Sequence, residues 1–186
     1  MTCIVAIKKD NKVYMGGDSA LVDNNAGIKV KIATPKVFDC FSYIIGYAGS
    51  ARMGQLLFNY FQPSDPPRNP YELEMHMVTT FVDELRALAE EKGLRLDTGS
   101  EEMNDFASIL VGINGRIFVI EPDWQASEWL CDYAAIGSGM ELAIGSLYTT
   151  NKLKVKPEER IKLALETASE HSTSVCEPFH TVTREW

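Results

Sequence analysis

Position 2 of the chain is a threonine, and the residues behind it, Cys3-Ile4-Val5-Ala6-Ile7-Lys8-Lys9, form an apolar, β-branched run. Methionine followed by a small residue is what methionine aminopeptidases process, so the mature chain is expected to begin at Thr2. One residue would then carry both a hydroxyl and a free α-amine. A threonine hydroxyl is a weak nucleophile at neutral pH until a base takes its proton. An α-amine, with an ordinary pKa of about 7.7–8.0, is suited to that task. Threonine also occurs at position 2 merely because it permits removal of the initiator, so its meaning depends on the elements around it.

Other reactive side chains offer no competing centre. Cys3, Cys40, Cys131 and Cys176 contain no Cys-x-x-Cys pair and no metal-ligand spacing, and read as buried free thiols of a reducing compartment. His76, His171 and His180 are scattered, so neither a metal nor another cofactor is expected. A formal net charge of -8, with Lys and Arg dispersed, excludes the concentrated basic surface that nucleic acid requires. No apolar run approaches the roughly 20 residues that span a bilayer. The strand pattern starts at residue 2, which predicts no targeting peptide and a cytoplasmic protein. A length of 186 residues suits one domain over residues 1–186.

The elements that must position Thr2 follow from periodicity. Residues 2–9 and 13–18 alternate and flank Asp10-Asn11-Lys12, which predicts a hairpin. Residues 19–27 read as loop. Residues 28–33 alternate again until Pro35, and two further strand-like runs cover 36–39 and 41–48. At Gly49-Ser50 the period changes to that of a helix, with Met53, Leu56, Leu57 and Tyr60 on one face. The stretch Gln62-Pro63-Ser64-Asp65-Pro66-Pro67-Arg68-Asn69 is a surface loop. Asn69 is expected to cap a second helix, with Pro70 first and Glu72 three after the cap, an apolar stripe Leu73, Met77, Phe81, Leu85, Leu88, and a stop at Gly93. A polar loop covers 97–104. Strands resume at 106–113 and 116–120 around Asn114-Gly115, a strong hairpin signal. One more strand is expected over 127–135. A third helix follows Gly137-Ser138-Gly139, with Met140, Ala143, Ile144, Leu147 and Tyr148 on one side, and a fourth starts at Pro157. The tail from 175 to 186 reads as one short strand.

The order is strands, two helices, strands, two helices, without βαβ alternation. It predicts an α+β fold, a four-layer αββα sandwich of two antiparallel sheets flanked by helices.

Taken together, Thr2 before an apolar strand, Gly16-Gly17-Asp18, Pro35-Lys36-Val37, Gly46-Tyr47-Ala48-Gly49, Val119-Ile120-Glu121-Pro122 and Ala135-Ile136-Gly137-Ser138-Gly139 are the decisive motifs. In type and order they resemble the N-terminal nucleophile hydrolases of the proteasome β-subunit family, most of all its HslV group. The resemblance runs over nearly the whole chain and implies a threonine endopeptidase. It implies Thr2 as nucleophile, Asp18 as a buried acid, Lys36 as the lysine paired with it, Gly49 as an oxyanion donor and Ser138 as a serine beside the amine. Lys29 and Lys31 are alternatives to Lys36 if the register through the longer preceding loop differs. Glu170 is the loose match for an aspartate of proteasome subunits. Bland roles are also open: a strand end for Asp18, a solvated lysine for Lys36, a helix-entry turn for Gly49, a helix cap for Ser138.

By the same resemblance the protein would assemble into one or more homo-oligomeric rings, take peptide or unfolded protein as substrate, and work with an AAA+ ATPase. The runner-up readings are a small-molecule amidase of the same fold and a silent ring or scaffold subunit. This chain departs from the HslV pattern in having Cys3 after Thr2, Ser50 after Gly49, and a Pro-rich loop after the first helix.

Overall fold

The computed structural model describes residues 2–23, 28–94 and 107–186. The chain forms β1 (Ile4–Lys9), β2 (Lys12–Gly17), β3 (Ala20–Asp23), β4 (Ile28–Lys31), β5 (Val37–Cys40), β6 (Tyr43–Gly49) and α1 (Ala51–Tyr60). Then come α2 (Leu73–His76), a π-helical turn (Met77–Phe81) and α3 (Val82–Glu91), which run on as one continuous helix. After them follow β7 (Ala107–Ile113), β8 (Arg116–Ile120), β9 (Ala126–Glu128), β10 (Tyr133–Ile136), α4 (Met140–Asn151), α5 (Pro157–His171) and β11 (His180–Glu185).

Two antiparallel sheets, ordered β10-β1-β2-β11 and β5-β6-β7-β8-β9, stack face to face, while β3 and β4 make a separate hairpin. Strand alternation explains the layers. Ile4, Ala6, Val13 and Met15 meet Val37, Ile44, Leu110 and Val119 between the sheets. Cys3, Val5 and Ile7 point the other way, onto Ala143 and Leu147 of α4 and Ile161 and Leu165 of α5. On the far face of the second sheet, Tyr43, Ile45 and Val111 are covered by Met53, Leu56, Leu73, Met77 and Phe81. The order is therefore helix, sheet, sheet, helix, the expected four-layer sandwich. β1 is buried on both faces, which explains why its sequence is a continuous apolar run.

The turns agree with the residues at them. Asp10 and Asn11 have φ of 51° and 57°, and Asn114 and Gly115 have 48° and 69°. Consecutive positive φ values give the turn twist that matches the flanking strands. The stripe Leu73, Met77, Phe81, Leu85 repeats every four residues, which would drift off one face of a 3.6-residue helix. The π turn absorbs that drift, and all four side chains are fully buried.

Several expectations need correction. Part of the segment read as loop over 19–27 is β3, paired from Ala20 opposite Lys31 to Asp23 opposite Ile28. Residues 24–27, and the loop expected at 97–104, lie outside the described residues, as does Phe106. The strand expected over 127–135 is two short strands in different sheets, β9 beside β8 and β10 beside β1. Asn69 starts a hydrogen-bonded turn, its O accepting from Glu72 N and its Oδ1 from Tyr71 N, and α2 starts only at Leu73. Tyr60, Met140 and Tyr148 have helical spacing yet are exposed, and Cys131 is exposed while the other three cysteines are buried. Among the described residues no helix is long and apolar enough to cross a membrane.

Candidate active site

The β1–β2 hairpin sets the geometry. Its register places Ile4 opposite Gly17, so Cys3 and Asp18 face each other just beyond the paired strands. Asp18 N donates to Cys3 O at 3.3 Å, and Cys3 N donates to Asp18 Oδ1 at 2.9 Å. Asp18 Oδ2 accepts from Ala20 N at 2.8 Å as the chain turns into β3. This carboxylate is fully buried and held from both sides.

Lys36 enters from the residue before β5. Its Nζ donates to Thr2 Oγ1 at 2.9 Å, to Asp18 Oδ1 at 3.0 Å and to Ala20 O at 2.6 Å. An ammonium has three protons, and each has an acceptor. Lys36 is 3% exposed, a burial that costs several kcal/mol per ion unless pairing and hydrogen bonds offset it. Burial holds the Lys36 pKa below that of an ordinary lysine, with Asp18 pulling the other way. Lys29 and Lys31 lie exposed on β4. An ammonium aimed at Thr2 Oγ1 favours developing negative charge on that oxygen.

A turn between β10 and α4 wraps the other side of Thr2. Gly139 N donates to Thr2 O at 3.1 Å, and Gly137 has φ of 91°. A Cβ at Gly137 would lie 2.3 Å from Thr2 O, so only glycine fits. Thr2 N donates to Ser138 Oγ at 3.2 Å. That nitrogen is a peptide amide bonded to Met1, and it stands where the α-amine would be after Met1 is removed. Gly49 ends β6 with φ of 119°, and Ser50 after it caps α1 by accepting from Met53 N. Ala48 borders the Thr2 turn, its Cβ 3.1 Å from where a Gly137 Cβ would stand.

Thr2, Asp18, Lys36 and Ser138 are thus joined by hydrogen bonds, and Gly49 sits at a neighbouring strand end. Glu170 is not joined to them by a hydrogen bond among the described residues. It is exposed on α5 and lines a separate cavity of about 520 Å³ with Lys31 and Glu177. Ser174 occupies the position beside Ser138, with Ser172 behind it at 3.1 Å and 2.8 Å in turn. Neither serine carried a signal in the sequence, because their partner lies 36 residues away from Ser174. Cys3, next to Thr2, points into the α4–α5 layer, and burial pushes its thiol up to about 12, with Asp18 adding to the shift. A thiol held protonated and buried is a poor nucleophile.

The backbone is shared with solved structures. Thiobacillus denitrificans BPH matches with a TM-score of 0.78 at 19% identity, covering 99% of this chain and 98% of that one. The eukaryotic HslV from Trypanosoma brucei matches over the whole of both chains with a TM-score of 0.68 at 20% identity. The Anbu complex from Pseudomonas aeruginosa, solved as a helical assembly, matches 99% of this chain and 81% of its own with a TM-score of 0.70 at 12% identity. The chain therefore shares its fold with these BPH, HslV and Anbu structures. No protein-family model matches the sequence.

Proposed function

We propose that this protein is a threonine-type endopeptidase subunit of a self-compartmentalising, proteasome-like assembly, with Thr2 as nucleophile once Met1 is removed. One observation carries the reading: Lys36 Nζ touches both Thr2 Oγ1 and Asp18 Oδ1 inside the protein. A solvated strand lysine would have no reason to be there.

The chemistry needs no metal or cofactor. The α-amine of Thr2 takes the proton of Oγ1, directly or through one water, and Oγ1 bonds to the substrate carbonyl carbon. The carbonyl π electrons move to oxygen, and the Gly49 N–H donates to that oxyanion. The amine returns its proton to the departing amine of the substrate as the C–N bond breaks, leaving an ester on Thr2. Water then attacks the ester, gives its proton to the same amine, and Oγ1 leaves with a proton restored. The positive charge of Lys36 lowers the proton affinity of the nearby amine and so favours its neutral, basic form. Asp18 holds Lys36 in place, and Ser138 holds the amine.

Assembly belongs to the same proposal. The likeness to Anbu, solved as a helical assembly, supports a homo-oligomer. A heterologous contact repeated through a closing rotation gives a ring. A ring enclosing Thr2 would admit unfolded protein delivered by an AAA+ ATPase in the cytoplasm. The test is hydrolysis of fluorogenic peptides by the wild-type protein and by Thr2→Ala. Activity in the first and none in the second supports the reading, and equal activity in both refutes it. Thr2-dependent cleavage of small amides but not peptides would move the assignment to an amidase.

A further inference from the structure

The first sheet leaves one strand without cover. α5 settles over β2, where a Cβ on Gly16 would lie 2.4 Å from Ile161 Cγ2 and 3.0 Å from Leu165 Cδ1, so the bare glycine lets the helix approach. β11, the next strand, lies beyond the helix. Between them runs a trough of about 590 Å³, lined by Ile161 and Leu165 of α5, by Tyr14, Thr181 and Thr183 of the strands, and by Phe179. Pockets that hold ligands measure roughly 300–1,000 Å³. Lys31, Lys162, Glu158 and Glu177 also border it, and their charges cancel.

β11 is also an edge of the sheet, pairing with β2 alone. Trp186 N donates to Asn11 O at 3.3 Å, which sets the parity of the ladder. Counted by two along the register, His180, Val182 and Arg184 turn their N–H and C=O groups toward Gly17, Met15 and Val13 of β2. Thr181, Thr183 and Glu185 turn theirs outward, and no hydrogen bond among the described residues reaches them. Two threonines therefore present free backbone to the edge and side chains to the trough. A strand added antiparallel along β11 would set its partners of Thr181 and Thr183 about 5.5 Å away, Cα to Cα, with their side chains on the trough face.

We propose that this edge and trough capture unfolded polypeptide as an added β-strand, burying two bulky apolar side chains two residues apart, ahead of cleavage at Thr2. Its purpose rests on the peptidase reading; the binding itself does not. Unfolded chain offers free backbone groups and bare apolar side chains together, whereas a folded surface has already paired the first and buried the second. A second copy of β11 does not fit. Paired antiparallel, it would bring only Thr181, Thr183 or Glu185 to the trough and leave its apolar walls uncovered. The trough also leads toward the site. His180 pairs with Gly17, next to Asp18, and Ser19 holds the segment before β11 through Ser19 N to Cys176 O at 3.0 Å and Ser19 Oγ to Pro178 O at 2.6 Å. A chain held there keeps its continuation at a high effective concentration near Thr2.

The binding test uses the full-length protein carrying Thr2→Ala, which does not turn the probe over, and the blocked peptide acetyl-Gly-Thr-Leu-Thr-Leu-Thr-Gly-amide. Hydrogen exchange read residue by residue should show the Thr181 and Thr183 amides slowed about tenfold or more by the peptide, with Val182 and Arg184, already in the ladder, little changed. Peptides with both leucines replaced by serine, or with both leucine amides methylated, should bind about tenfold more weakly or worse. Thr183→Pro removes one outward N–H while leaving the β2 ladder whole, and should weaken binding of the leucine peptide to the same degree. If it does not fold, as judged by circular dichroism, Thr181→Glu, which sets a charge in the trough, takes its place.

The same substitution in the active protein should raise the KM for casein, an unfolded substrate, about tenfold relative to that for a short fluorogenic peptide. Thr181 and Thr183 amides already slow without peptide would show the edge covered by a neighbouring copy and overturn the proposal. Equal binding of the leucine and serine peptides would overturn it too, and both results leave the peptidase reading intact. Casein turnover that survives Thr2→Ala overturns the peptidase reading, and with it the purpose assigned to the trough.

Discussion

Lys36 Nζ lies 2.9 Å from Thr2 Oγ1 and 3.0 Å from Asp18 Oδ1, so one buried ammonium joins the hydroxyl ahead of β1 to the carboxylate that follows β2. Thirty-four residues separate the lysine from the threonine, and only the stacking of the two sheets brings them together.

The first prediction concerns that ammonium. Lys36→Ala should lower kcat by about 10²–10³, the order lost when one preorganised electrostatic donor is removed. Lys29→Ala and Lys31→Ala should change it less than about twofold, since exposed charges contribute little. Steady-state peptide hydrolysis by the three variants, with circular dichroism to check folding, decides the matter. A dominant loss at Lys29 or Lys31 would contradict the geometry.

A pH dependence follows from the same burial. Lys36 has its pKa lowered from the usual 10.5, chiefly by desolvation. The ammonium exists below its pKa and is lost above it, so activity should fall as pH rises through that lowered value, earlier than an ordinary lysine would allow. In Lys36→Arg the guanidinium stays charged. Whatever its maximal rate, that variant should lack the alkaline fall. A pH profile with the same alkaline limb in both proteins would assign the limb to another group.

Two glycines should respond in opposite directions. Gly137 has φ of 91°, and a Cβ there would lie 2.3 Å from Thr2 O. Gly137→Ala should lower the thermal midpoint and displace Thr2, with a stability loss of about 1–3 kcal/mol. Gly145 is exposed within α4, and a Cβ there meets nothing within 4 Å. Gly145→Ala should raise stability by about 0.4–1 kcal/mol. Thermal unfolding of the two variants beside wild type checks the pair.

Much of this was legible where local chemistry decides structure. The hairpins at Asp10-Asn11 and Asn114-Gly115 follow from residues that accept positive φ, and α5 follows from Pro157 and its apolar period. Thr2, Asp18, Lys36 and Ser138 were singled out by motif, and their contacts with one another could be seen only in the folded chain. β3 was missed because it is four residues long and takes its stability from β4, a partner beyond a polar stretch. The one strand expected over 127–135 is divided between β9 and β10, which pair in different sheets, a choice made by β8 and β1. Tyr60 and Tyr148 have core spacing and are exposed, since periodicity reports a face and not what covers it. Ser174 was invisible for the same reason: its meaning is the neighbour Ser138.

Glu170 provides a contrast. Glu170 is exposed on α5 and, among the described residues, takes no part in the hydrogen bonds that hold Thr2. Glu170→Ala should therefore keep kcat within about twofold of wild type, the small effect of removing an exposed charge. A loss comparable to that of Lys36→Ala would restore the carboxylate to the site.

Covalent attachment at Thr2 is the sharpest consequence of all. A slow peptide ester turned over by the processed protein and quenched in acid should leave its acyl group on the enzyme, and peptide mapping by mass spectrometry would locate it. The expected result is one acyl mass on the N-terminal peptide, on Thr2 of chains that have lost Met1, absent from chains that keep Met1 and from Thr2→Ala. Acylation of another residue, or turnover undiminished in Thr2→Ala, would contradict a threonine nucleophile.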